Sequence, residues 1–81
     1  MAPTQTPIPE HTRAVLTTDL PDHGFKAGDV GVVVDVHQHG AGYEIEFMTL
    51  SGETIDVVTV TAQQVRPVMK NDMPTARRLA G

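Results

Sequence analysis

Three groups of residues in this 81-residue chain have the types and spacing that chemistry can use. His37-Gln38-His39 sets two imidazoles two positions apart, and in an extended strand such positions point the same way and can share a metal ion. A third ligand would come from Glu44 or His11, yet no pattern places either one. Histidines at a turn more often simply face water. Gly28-Asp29-Val30-Gly31 resembles a fragment of a phosphate-cradling loop. Such a loop needs a lysine and a Ser/Thr entering a helix, whereas these glycines enter a run of valines. A tight turn in which Asp29 caps backbone amides accounts for the same residues. Asp35, Glu44, Glu46 and Asp56 are expected on one outward face. Paired carboxylates do acid–base work only where burial separates their pKa values, and a strand face open to water gives no such burial. There is no cysteine and no Ser/His/Asp arrangement. The expectation is therefore no catalytic residue, no metal site and no cofactor.

The elements that position these groups follow from alternation and turn residues. Thr12 to Thr17 reads as a first strand, with Ala14 and Leu16 inward. Asp19-Leu-Pro-Asp-His-Gly24 is a turn or excursion loop, and Ala27-Gly28-Asp29 a second tight turn. In the strand that follows, alternation puts Val30, Val32, Val34 and Val36 on the core face, with Gly31, Val33, Asp35 and His37 outward. In the next strand Tyr43, Ile45 and Phe47 face the core, with Glu44, Glu46 and Met48 outward. A Gly40-Ala41 turn, or a four-residue loop in the same register, pairs Val36 with Ile45 and Val34 with Phe47, and leaves His37 opposite Glu44.

The next hairpin turns at Ser51-Gly52. A two-residue turn would set Asp56 opposite Phe47, so an odd-length loop is expected, with Gly52 left-handed and a bulge, pairing Phe47 with Ile55 or Val57. A strand over Thr54 to Thr61, a 3₁₀ turn at Ala62-Gln63-Gln64 and a last strand from Val65 to Met69 complete the layout. Five short antiparallel strands with one helical turn before the fifth describe an all-β, SH3-like barrel. Closure suits a chain this small, because a thin core without disulfides is best enclosed by a sheet that leaves few open edges. Residues 1–10, with three prolines, are expected as a disordered arm, 11–69 as the barrel and 70–81 as a flexible tail.

Charge is uneven. From Glu10 to Val68 nine acidic residues face three basic ones, a net −6, whereas Met69 to Gly81 carries +2. An acidic barrel repels phosphate backbones, so nucleic acid is not an expected partner. The N-terminus has neither the basic start nor the apolar run of a signal peptide, and no apolar stretch reaches the roughly 20 residues of a membrane helix. A cytoplasmic protein with no membrane partner is the expectation.

The run L-T-T-D-L-P-D-H-G-F-K-A-G-D-V-G-V-V-V, then Y-E-I-E-F, G-E-T and a closing V-R-P, is similar to a family of small bacterial and archaeal proteins. That family is catalogued as domain of unknown function number forty-nine twenty-six. The likeness covers about Thr12 to Pro67. It departs at Val32, where the family often has threonine, and in the longer arm and tail. More distantly, G-D-x-G-x-V resembles ribosomal-type KOW modules and the barrel of nitrile hydratase subunits. The resemblance implies a small stand-alone partner of a neighbouring gene product, some members being suspected antitoxins. It carries over no catalytic or binding residues.

The functional expectation is a non-enzymatic, protein-interaction module with an antitoxin-like neutralising role, its partner a basic protein encoded nearby. Asp35, Glu44, Glu46 and Asp56 supply charge, and Met48 and Val58 the apolar anchors, with Val33 on the same face. One rival is an accessory subunit that stabilises or metallates an enzyme through the His37/His39 tip. The other is an RNA-binding barrel, disfavoured by charge and by having only Phe25, Tyr43 and Phe47 as aromatics.

Overall fold

The computed structural model describes residues 6–79. Five strands, β1 (Arg13–Leu16), β2 (Val30–His37), β3 (Gly42–Met48), β4 (Thr54–Thr61) and β5 (Val65–Pro67), form one antiparallel sheet in the order β4-β3-β2-β1-β5. Single 3₁₀ turns stand at Pro21–His23, Gln38–Gly40 and Ala62–Gln64, and no α-helix occurs among the described residues. The protein is all-β, with the strand order and the turn before the last strand expected of an SH3-like barrel. That last turn is held by a capping box: the Thr61 N–H donates to Gln64 Oε1 at 2.8 Å, and the Gln64 N–H donates to the Thr61 side chain.

The bent sheet wraps a core in which Leu16, Val33 and Ile45 are the largest fully buried side chains. Phe25, delivered by the Asp19–Lys26 excursion, stacks on Phe47 with ring centroids 4.1 Å apart. Each such side chain removed from water contributes about 1.5–3 kcal/mol, which is how so small a sheet holds together.

The core face of β2 differs from simple alternation. Val33 is fully buried, Gly31 lies beside it on the inner side, Val30 is exposed, and Val32 and Val34 are half-buried. The cause is a bulge at Val34: Val33 pairs with Ile45, Asp35 with Glu44 and Val36 with Tyr43, so one residue is skipped. An extra residue reverses the parity of the strand. Val36 still packs against the core, but the next inward side chain before it is Val33. The expected pairs Val36–Ile45 and Val34–Phe47 are replaced because the hairpin turns one residue earlier than expected, which pairs Val36 with Tyr43, and the bulge then leaves Val34 unpaired. The hairpin loop is four residues, Gln38 to Ala41, between His37 and Gly42, and Gln38 and His39 both adopt left-handed φ values of 48° and 58°.

At the next hairpin the odd loop is present. Met48 pairs with Thr54 across five residues, and Gly52 has a left-handed φ of 94°. A bulge at Ile55 then adds a residue, and the two offsets cancel, so Phe47 faces Asp56 rather than Ile55 or Val57. The carboxylate avoids the core because β4 is the edge strand, where the Asp56 side chain stays 47% exposed. Asp56 accepts the Val57 N–H at 2.8 Å and stands 3.4 Å from His23 Nδ1.

The described residues on both sides of the five strands reach the barrel. Ile8, within the span expected as a disordered arm, is only 7% exposed and belongs to the core, and its N–H donates to the Tyr43 hydroxyl at 3.0 Å. Its apolar side chain fills the end of the core beside Tyr43, a gain that sequence alternation inside strands does not register. Between Val68 and Leu79 there is neither helix nor strand, but two arginine–aspartate pairs tie this segment down. Residues 1–5 of the expected arm and 80–81 of the expected tail lie outside the described residues.

Candidate interaction face

The outer surface of β2, β3 and β4 is laid out in cross-strand rows. Arg13, Val32, Glu46 and Val57 form one row; Asp35, Glu44 and Thr59 the next; His37, Gly42 and Thr61 the third. Asp35 thus stands opposite Glu44, where like charges oppose each other. The His37 ring lies between the two carboxylates, with Nε2 3.0 Å from Glu44 Oε2 and Nδ1 3.9 Å from Asp35 Oδ2. Asp35 also accepts the Val36 N–H at 2.9 Å, and the Thr54 hydroxyl donates to Glu46. These bonds orient the acidic groups along one surface, with Glu44 and Glu46 half-buried and Asp35 exposed.

The structure brings Asp35, Glu44, Glu46 and Met48 together on this face and separates the other two expected residues from it. Asp56 lies at the rim on the Phe47 side. Val58 is 4% exposed, because its partner across the ladder is Ile45 and both point into the core. Val57, one position earlier, is 47% exposed and joins Met48 at 38% as the apolar part of the outer surface. Val33, expected outward, is in the core for the reason given above. The signal for Val57 was in the sequence: once Val58 is inward, its neighbour must be outward.

Asp35, His37 and Glu44 also offer ligand atoms that all lie within 4.8 Å of one another. The closest contacts use different ring nitrogens, Nε2 toward Glu44 and Nδ1 toward Asp35. His39 is not part of this cluster, since the left-handed turn at Gln38–His39 breaks the strand alternation that would have aligned it with His37.

A second charged feature was not legible in the sequence. Arg77 donates to Asp29 at 2.9 and 2.5 Å, across 48 residues of chain, and to the Gly24 carbonyl at 3.0 Å, across 53. Asp29 also caps the Lys26 N–H at 2.8 Å, as its turn position implied. The Arg77 guanidinium, followed by that backbone bond, holds the Asp29 carboxyl below its usual range against some desolvation. Arg66 grips Asp72 in the same fork, at 2.7 and 2.9 Å, and with the Met69 N–H brings the Asp72 pKa down to about 2.

A family model described as "Domain of unknown function (DUF4926)" matches residues 10–67, from just before β1 to the last residue of β5. No curated protein and no solved structure matches the chain.

Proposed function

From the premise that this chain belongs to the DUF4926 family, we propose that the barrel is a non-enzymatic protein-interaction module whose outer β2–β3–β4 face receives a basic protein. The observation that carries this reading is the row arrangement: Asp35, Glu44 and Glu46 crowd adjacent rows, with exposed Met48 and Val57 beside them. Setting Asp35 opposite Glu44 costs about 0.2–1 kcal/mol relative to a neutral pair, a cost that a cationic partner would remove. Acidic rows steer a basic surface in, and the apolar side chains then exclude water at the contact. An antitoxin-like pairing with a neighbouring gene product is one concrete form of this role. The net −6 from Glu10 to Val68 favours protein over nucleic acid.

The test is capture of the partner from its native cell with the full chain, followed by binding kinetics at low and moderate salt. Glu44→Lys with Glu46→Lys should slow association about tenfold and flatten its salt dependence, while Met48→Ala should shorten the lifetime of the complex. Unchanged kinetics for all these substitutions would overturn the assignment of this face.

A further inference from the structure

The ladder pattern leaves one long edge of the sheet open. The Ala62 N–H donates to the Ala41 carbonyl directly across the ladder, while the Ala41 N–H turns back to His37; alternation along the strands then makes Tyr43–Val60, Ile45–Val58 and Phe47–Asp56 the hydrogen-bonded pairs. The backbone groups of Val57, Thr59 and Thr61 therefore point away from β3. Side chains cover two of these donors: Asp56 takes the Val57 N–H and Gln64 takes the Thr61 N–H, each at 2.8 Å. Nothing among the described residues covers the N–H or C=O of Thr59. The other edge is closed. β5 has three residues, Arg66 pairs inward with Val15, and of the two that face outward Pro67 has no N–H.

We propose that the β4 edge pairs with the β4 edge of a second copy of this chain, antiparallel about a two-fold axis at Thr59. This goes beyond the acidic-face reading and stands independently of it. The sequence Thr54-Ile-Asp-Val-Val-Thr-Val-Thr61 has neither lysine nor proline, residues that commonly blunt an exposed edge, and is β-branched at every position but Asp56. Pairing at Thr59 joins its two free groups to those of Thr59 in the second copy and sets Val57 opposite Thr61. Asp56, the one charge on the strand, falls opposite Ala62, so no carboxylate meets another. The Glu44 side chains come to lie three strand spacings apart, about 14 Å, beyond the screening length of roughly 8 Å at physiological salt. The blunted β5 edge cannot serve as the complement of β4, so the contact is isologous and closes as a dimer instead of growing into a ring or fibre. A contact of one strand pair sits at the small end of interface sizes, so the dimer is weak and concentration-dependent.

Sedimentation of the full chain from roughly 10 μM to 1 mM spans the affinities that small interfaces reach. Over this range the mass should rise from one chain toward two, and at the upper end amide exchange at Thr59 should slow. Thr59→Lys sets two ammonium groups face to face at the axis and should stay monomeric, with unchanged melting in dilute solution because residue 59 is exposed. Glu44→Lys, which disrupts the proposed acidic face, should leave self-association in place, so the two proposals fail separately. A single-chain mass throughout, a fast-exchanging Thr59 amide at high concentration, or self-association that survives Thr59→Lys would each overturn the pairing. So would a wild-type chain that stays monomeric and adds only a foreign strand at this edge.

Discussion

Replacing Gly31 by alanine separates the observed register of β2 from the one that plain alternation suggests. Under alternation Gly31 faces solvent, and alanine there should stabilise the strand by about 0.4–1 kcal/mol through the unfolded chain. In the structure Gly31 faces inward under Ile45. A Cβ built there would overlap the Ile45 Cγ2 and stand 2.9 Å from the Glu46 carbonyl oxygen and 3.2 Å from Phe47 Cδ1. The Glu46 oxygen belongs to the ladder itself and cannot swing aside, so the added methyl must push β3 away from β2. Overpacking of this kind costs about 1–3 kcal/mol, and subtracting the unfolded-state gain leaves about 1–2 kcal/mol of destabilisation. For a domain of this size that corresponds to a fall in Tm of roughly 4–16 °C. Thermal unfolding by circular dichroism reads it directly. An alanine variant that melts at or above the wild type would refute the packing of Gly31 beneath Ile45, and with it the bulge at Val34.

Three further outcomes follow from the same geometry. Val33→Ala should cost about 2–3 kcal/mol while Val34→Ala costs under about 1 kcal/mol, in urea unfolding; the reverse ranking would restore the alternating face. Phe47→Ala removes the ring stacked on Phe25 and should cost about 3–5 kcal/mol, enough to unfold much of the chain at room temperature, whereas near-native melting would contradict the core assignment. The folded pKa values of Asp29 and Asp72 lie below the ordinary 3.8, so their contribution is present above that value and is lost as pH falls, through about 2 for Asp72. Carboxyl NMR titration should show Asp29 returning toward its ordinary range in Arg77→Ala while Asp72 stays low; an unmoved Asp29 would break the proposed link.

Turn chemistry and alternation determined a good part of this protein before any tertiary contact was considered. The left-handed Gly52, the odd loop at Ser51-Gly52, the 3₁₀ turn at Ala62–Gln64 and the inward set Tyr43, Ile45 and Phe47 are local consequences of glycine, polar turn residues and a period of two. The same reasoning brought Glu44, Glu46 and Met48 onto one outer face, since β3 contains no bulge to disturb its parity. What only the tertiary structure decided is where parity breaks. In Val30-Gly-Val-Val-Val34 every candidate for the core is a valine or a glycine, so hydrophobicity gives no preference between the two faces. The choice falls to packing, where Gly31 lets Ile45 approach and Val33 fills the space. A bulge at Val34 then reconciles that choice with Val36. At β4 a second bulge sends Val58 inward, leaves Val57 outside and removes Asp56 from the acidic face. The contacts of Ile8 with Tyr43 and of Arg77 with Asp29 join residues 35 and 48 positions apart. No local periodicity encodes such pairs, because their geometry exists only once the sheet has bent.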